Sequence, residues 1–285
     1  MSLSESRPDP EARSLLQAIG ASREARQDIA LGALALAALE APQASLAPYR
    51  AHLERLAADL RGLVGEGGPT ALPVEEAREA VAHVLFGLHG YRGDQESYDD
   101  LQNANLIRVI DRRKGLPVAL GVLLIATARA AGFAAAGLDF PGHFLVRLDS
   151  GGGRAVVDPF DGARALDAAA LRALLKQTRG ADAELEPRWY EPADDKDVLL
   201  RLQNNLKVRL IRAGSFDRAS EILDGMLTIA PERARLWREA GMLHAHIGNI
   251  RTARAALEIY LERETDESAR REAAGMLDEL SRRLN

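Results

Sequence analysis

The 285-residue sequence contains no cysteine. That excludes disulfides, thiolate metal sites and a thiol nucleophile. Lysine is nearly absent, with 4 residues against 33 arginines. Together with the abundant alanine, this bias points to GC-rich coding rather than to phosphate recognition. Positive charge is not in excess: the net charge is −5 and the pI about 5.8. Nothing therefore draws the whole chain to nucleic acid or an anionic membrane. No run reaches the ~18 uncharged apolar residues that span a bilayer. The Ala-Leu run from Ile29 to Leu39 comes nearest and reads as a buried helix. The N-terminus, MSLSESRPDP, lacks the apolar segment of a signal peptide. The expected place is the cytoplasm, with no membrane or nucleic-acid partner.

What is present is the composition of a globular protein, 47% hydrophobic and 28% charged, long enough for one large domain or two ordinary ones. Residues 11–88 read as helical. Pro42 ends the Ala-Leu run. Ser45 can cap a helix whose apolar face carries Leu46, Tyr49, Leu53, Leu56, Leu60 and Leu63, and Pro73 opens another with Val81, Val84, Leu85 and Leu88 in its stripe. A polar loop, YRGDQESYDDLQNA, leads to a short helix started by Asn103 or Asn105 and closed by Gly115. Pro117 opens the next helix, of about 15 residues, ending at Gly132. From Ala134 to Asp158 the pattern is extended, with SGGG as a turn. Leu166 to Arg179 is helical again, and Trp189-Tyr190 sit in a proline-containing linker that they are expected to pin.

The segment from Gly115 to Phe160 carries the chemistry. A cysteine acyl-transfer site needs a nucleophile at a helix N-terminus, a His on a nearby strand and a carboxylate to orient it. The helix start here is Pro117 to Leu120, the His is His143 and the carboxylate is Asp158. A hairpin folded between Ser150 and Gly151 sets His143 and Asp158 opposite each other within a register step, near enough for a hydrogen bond. No Cys, Ser or Thr stands at the helix start. Arg108, Arg112, Arg113 and Lys114 form a basic cluster just before it. Arg112 and Arg113, with Asn103, are the candidate ligand-binding residues; a solvated face is the alternative. His244 and His246 point to different helix faces, and His83 and His89 show no ligand spacing, so no metal is expected. No cofactor motif is found.

The helix, the His strand and the Asp strand resemble, in order and spacing, the transglutaminase-like superfamily. The finer resemblance is to the SirB-type family, in which such a domain precedes tetratricopeptide repeats. It rests on Asn103, Leu106, Val109 and Ile110, on RRKGLPVAL, on PGHFLV and on DPFDG. The resemblance implies that His143 and Asp158 occupy the base and orienter positions, and that the lost nucleophile stood near Pro117 to Ala119, taken here as Ala119.

The C-terminal region repeats with period 34: Gly214 recurs as Gly248, Ala219 as Ala253, Leu223 as Leu257 and Leu202 as Leu236. With Trp237, Gly241 and Pro231, this is the spacing of tetratricopeptide repeats, whose paired helices approach closely at small residues. The expected fold is α+β: a helical N-terminal region with a small antiparallel sheet, transglutaminase-like and papain-like at its core, over residues 1–187. An all-α repeat domain follows over residues 188–285. The expected function is that of a nucleophile-less interaction or regulatory protein that binds a protein or peptide through its repeats, and in part through the vestigial cleft. The rival is a hydrolase in which His143 and Asp158 activate water on an amide or ester, with the amides of Val118 to Leu120 holding the oxyanion.

Overall fold

In the computed structural model, residues 10–65 and 72–284 are described; the polar N-terminal stretch read above for a signal peptide lies outside them. Local chemistry sets where the helices begin. Pro10 starts α1 (Pro10–Ala21). Asp28 accepts the Leu31 amide at 3.0 Å and opens α2 (Ile29–Leu39). The helix α3 (Ala47–Val64) carries Pro48 in its first turn, and α4 (Val74–Ala82) follows Pro73. Asn105 accepts the Arg108 amide at 3.2 Å and opens α5 (Leu106–Arg112). Pro117, which has no amide hydrogen to lose, is the first residue of α6 (Pro117–Ala130).

Contacts among the described residues divide the chain into two compact units. One is residues 23–202 with the start of α1; the other runs from Gln203 onward and includes Leu16–Ser22.

In the first unit, α6 is the central element. Ten of its fourteen residues are buried, and it packs on α2, α3 and the sheet. A helix enclosed on all sides reads as apolar all round, and VALGVLLIA does. The sheet is antiparallel in the order β3 (Ala134–Leu138), β4 (Leu145–Ser150), β5 (Gly153–Asp158), β6 (Arg164–Ala165). Gly121 lets the sheet approach α6: a Cβ there would stand 2.2 Å from the Phe144 ring. A separate cluster joins Leu138, Phe140, Leu145 and Val156 to α7 (Ala168–Arg179) and to Trp189, whose ring meets Phe140 edge-on at 6.2 Å. Trp189 thus pins the linker as its composition suggested. The next helix, α8 (Asp195–Arg212), is stapled to α6 by Asp195, fully buried, which takes both Nη1 and Nη2 of Arg129 and the Gln27 amide.

The second unit consists of the rest of α8 with α9 (Phe216–Ile229), α10 (Ala234–His246), α11 (Ile250–Arg263) and α12 (Glu267–Leu284). Gly214 and Gly248 hold positive φ, 71° and 82°, at the ends of successive first helices. At Gly241 a Cβ would stand 2.6 Å from Leu257 and 3.3 Å from the Ala253 carbonyl. The close approach expected there is present.

Two apolar stripes are corrected. Leu88 is 61% exposed and Leu63 53%, although both fall on the periodic faces. After Ala82 the helix widens into a π-turn, His83–Leu88, in which His89 bonds Val84 and Tyr91 bonds Leu85. The wider turn rotates the stripe and leaves Leu88 facing water. In α3 the buried face is His52, Leu56, Ala57 and Leu60, so a histidine replaces an aliphatic residue and Leu63 lies outside. A two-residue parallel pairing of β1 (Arg92–Gly93) with β2 (Lys114–Gly115) was not legible either.

Candidate functional site

The start of α6 is built from the Gly115-Leu116-Pro117 corner, where the Leu116 amide bonds the Asn103 carbonyl at 2.9 Å. Ala119, in the first turn, is completely buried, among Leu116, Val118 and Leu120, which are nearly so. The Leu120 amide is taken by Leu116 within the helix at 3.0 Å, so it is not an open oxyanion donor.

The hairpin beside this helix turns on Gly151 and Gly152, both at positive φ, 54° and 75°. This is the two-residue connection whose twist suits an antiparallel pair. Ser150 therefore pairs with Gly153 and Val146 with Val157. Continued, this register sets Asp158 across from Leu145, one pleat repeat from the position facing His143. Asp158 accepts the Phe160 amide at 2.8 Å and so caps the short turn Pro159–Asp161. Burial pushes its carboxyl up, opposed by the Phe160 amide and reinforced by Asp161. His143 lies in the bend before β4. Its predecessor Gly142 stands against Thr178 of α7, and its successor Phe144 seats on α6 at Gly121. Among the described residues no hydrogen bond or ion pair reaches the His143 ring, from Asp158 or elsewhere.

Asn103 and Arg112 are brought together, at 3.1 Å. They hold the chain's own polar loop. Arg112 also binds Asp94 at 3.2 Å and Asp100 at 3.6 Å, while Asn103 donates to the Ser97 carbonyl at 2.6 Å. Burial raises the Asp94 carboxyl, but the Ser97 amide, Asn103, Lys114 and Arg112 together outweigh it and hold the group below its ordinary value.

Arg113 turns elsewhere. It ends α5 in the left-handed conformation, φ 58°, and its guanidinium enters a buried cluster with the His52 Nε2 at 2.6 Å and the Tyr91 hydroxyl. His52 and Tyr91 are 2.8 Å apart, and His89, bonded to Asp59 at 2.7 Å, meets the His52 ring edge-on at 5.4 Å. No sequence motif marked His52, Tyr91 or Asp94. Their partners lie 18 to 61 residues away, and local spacing carries no signal of such pairs. Among the described residues no group of His, Cys, Asp or Glu could hold a metal ion, and no helix is long and apolar enough to cross a membrane.

An enclosed apolar helix abutting an antiparallel sheet, followed by paired repeat helices, defines a class: a transglutaminase-like domain with tetratricopeptide repeats. Comparison with known families agrees. Residues 47–204 match the transglutaminase-like superfamily and residues 206–278 the tetratricopeptide repeat. Among relatives, a UPF0162 protein of Xylella fastidiosa (strain 9a5c) is 36% identical over 186 residues, 64% of this chain and 66% of the relative. The chain thus matches just under two thirds of that relative's length. A UPF0162 protein of Vibrio cholerae is 31% identical over 190 residues, 66% and 70% of the two chains. Protein SirB1 of Salmonella typhimurium is 26% identical over 212 residues, 74% and 77%. The chain belongs to the transglutaminase-like superfamily, in the repeat-bearing family of the UPF0162 and SirB1 proteins.

Proposed function

We propose that this chain is a non-catalytic interaction or regulatory protein of the cytoplasm that binds a protein or peptide through its repeat helices, the vestigial cleft adding at most a secondary contact. One observation carries the reading. Lys207 of α8 pairs with Glu239 of α10, and Arg238 of α10 pairs with Glu272 of α12, so these three helices present neighbouring faces. About one turn further along, on the same faces, come Ile211, Met242 and Met276. Ile211 is 38% exposed and Met242 49%, while Met276 is half-buried. An apolar row of this kind beside a rung of ion pairs suits a partner's apolar side chains, and methionine adapts to varied shapes.

The buried methyl of Ala119 supports the non-catalytic half of the reading: acyl transfer through a covalent intermediate requires an exposed, activated nucleophile. The test is affinity capture followed by mass spectrometry, comparing wild type with Met242→Asp and His143→Ala. Loss of the captured set with Met242→Asp and its retention with His143→Ala is expected; the reverse pattern would move the binding site to the cleft.

A further inference from the structure

The cluster around His52 is a buried titratable group that the proposed function does not use. Three elements meet in it: α3 supplies His52, Arg55 and Asp59; the segment after the π-turn supplies His89 and Tyr91; the corner between α5 and β2 supplies Arg113. Asp111 adds its negative charge on the Tyr91 side.

Hydrogen-bond chemistry fixes the protonation state of the closed cluster. A guanidinium only donates. With Arg113 Nη1 2.6 Å from His52 Nε2, that nitrogen must offer a lone pair, so His52 is neutral with its proton on Nδ1. A proton on Nε2 would set an N–H against the guanidinium, which cannot accept it, and would place two positive charges in contact. Tyr91 could accept from the protonated ring, so the group that has to leave is Arg113.

Arg113 also holds a strained backbone conformation, φ 58°. Its left-handed conformation is costly for a residue with a Cβ. Its carbonyl accepts the Arg92 amide at 3.0 Å, and the neighbouring Gly115 carbonyl accepts Asp94 at 3.3 Å; these two bonds make the β1–β2 pairing. We propose that the His52–Tyr91–Arg113 contact is an acid-sensitive latch. It pins the α5–β2 corner to α3 while His52 is neutral, and it releases β1–β2 when His52 is protonated.

The direction of the pH dependence follows from the surroundings. Burial first, then the charges of Arg113, His89 and Arg55, push His52 down to about 4, against the opposing pull of Asp59. An unfolded histidine titrates near ~6.5. The closed state is therefore fully favoured above that value and loses ground as pH falls from 6.5 toward 4.

The test is hydrogen exchange on the full chain across pH 7 to 4, read in peptides covering 89–95 and 110–116 and corrected for intrinsic rates. His52 ring protonation is followed in parallel by NMR of 13C-labelled histidine. The latch predicts that wild type loses protection in both peptides as His52 takes its proton. It also predicts that His52→Gln, neutral at every pH, loses that dependence, and that His89→Gln keeps it. Unchanged protection while His52 titrates overturns the proposal. So does a folded His52→Gln that opens along the wild-type curve. Should His52→Gln not fold, the wild-type comparison of ring protonation with exchange decides alone.

Discussion

The start of α6 and the face shared by α8, α10 and α12 are built in opposite ways. At α6 Leu116, Val118 and Leu120 close apolar around Ala119, and the neighbouring polar side chains spend their donors on the chain itself: Arg112 on Asp94, Asn103 on Ser97. On the repeat helices the ion pairs run between neighbouring helices and leave Ile211 and Met242 open to water. The start of α6 is packed as core, while the repeat helices leave Ile211 and Met242 exposed. The lesson is that an inherited fold does not carry its chemistry along; the side chains at the site decide.

Four changes probe this contrast, from the largest expected effect to the smallest. Asp195→Ala should do most damage. It removes the carboxylate that takes both Nη atoms of Arg129 and the Gln27 amide, and breaking a buried pair in this way costs about 3–5 kcal/mol. Chemical denaturation would show it; a loss below about 1 kcal/mol would mean that the staple is dispensable. Gly121→Ala comes next, because its Cβ would fall 2.2 Å from the Phe144 ring. Overpacking of this sort costs about 1–3 kcal/mol, and an unchanged melting temperature would mean that the α6–sheet contact is loose.

Ile211→Asp, by contrast, should shift stability by no more than about 0.5 kcal/mol, as surface changes usually do, while abolishing capture of the partner. A stability loss of core size would mean that Ile211 is packing rather than docking surface. Asp158→Asn should be the quietest. Burial already disfavours the charged carboxyl. Because its folded pKa is raised, ionisation takes stability away as pH rises through that value. Asn caps the Phe160 amide as well as Asp does. Stability within about 0.5 kcal/mol of wild type at pH 7 is expected, and a large loss would argue for a charged His143–Asp158 interaction that this geometry lacks.

Much of this architecture was legible from local chemistry. Pro117 marked the start of α6, Asn105 marked a helix start, an extended pattern marked the strands, and a 34-residue period with Gly241 opposite Ala253 marked the repeats. Other features depended on information that local spacing does not contain. The turn expected between Ser150 and Gly151 falls instead at Gly151 and Gly152, whose positive φ sets the register in which Asp158 faces Leu145. The π-turn after Ala82 inserts an extra residue into the helical period, which no apolar pattern announces. Arg112 and Arg113 are adjacent and alike, yet one serves Asp94 and the other His52, because the left-handed turn at Arg113 separates their directions. A basic run in sequence is therefore not a basic patch in space.

The most direct measurement of the central claim is quantitative binding of the captured partner to three purified proteins: wild type, Ile211→Asp with Met242→Asp, and His143→Ala with Asp158→Asn. The account predicts that the first double substitution abolishes binding and the second leaves the dissociation constant unchanged. Binding that survives on the repeat variant and is lost on the His143–Asp158 variant would contradict it.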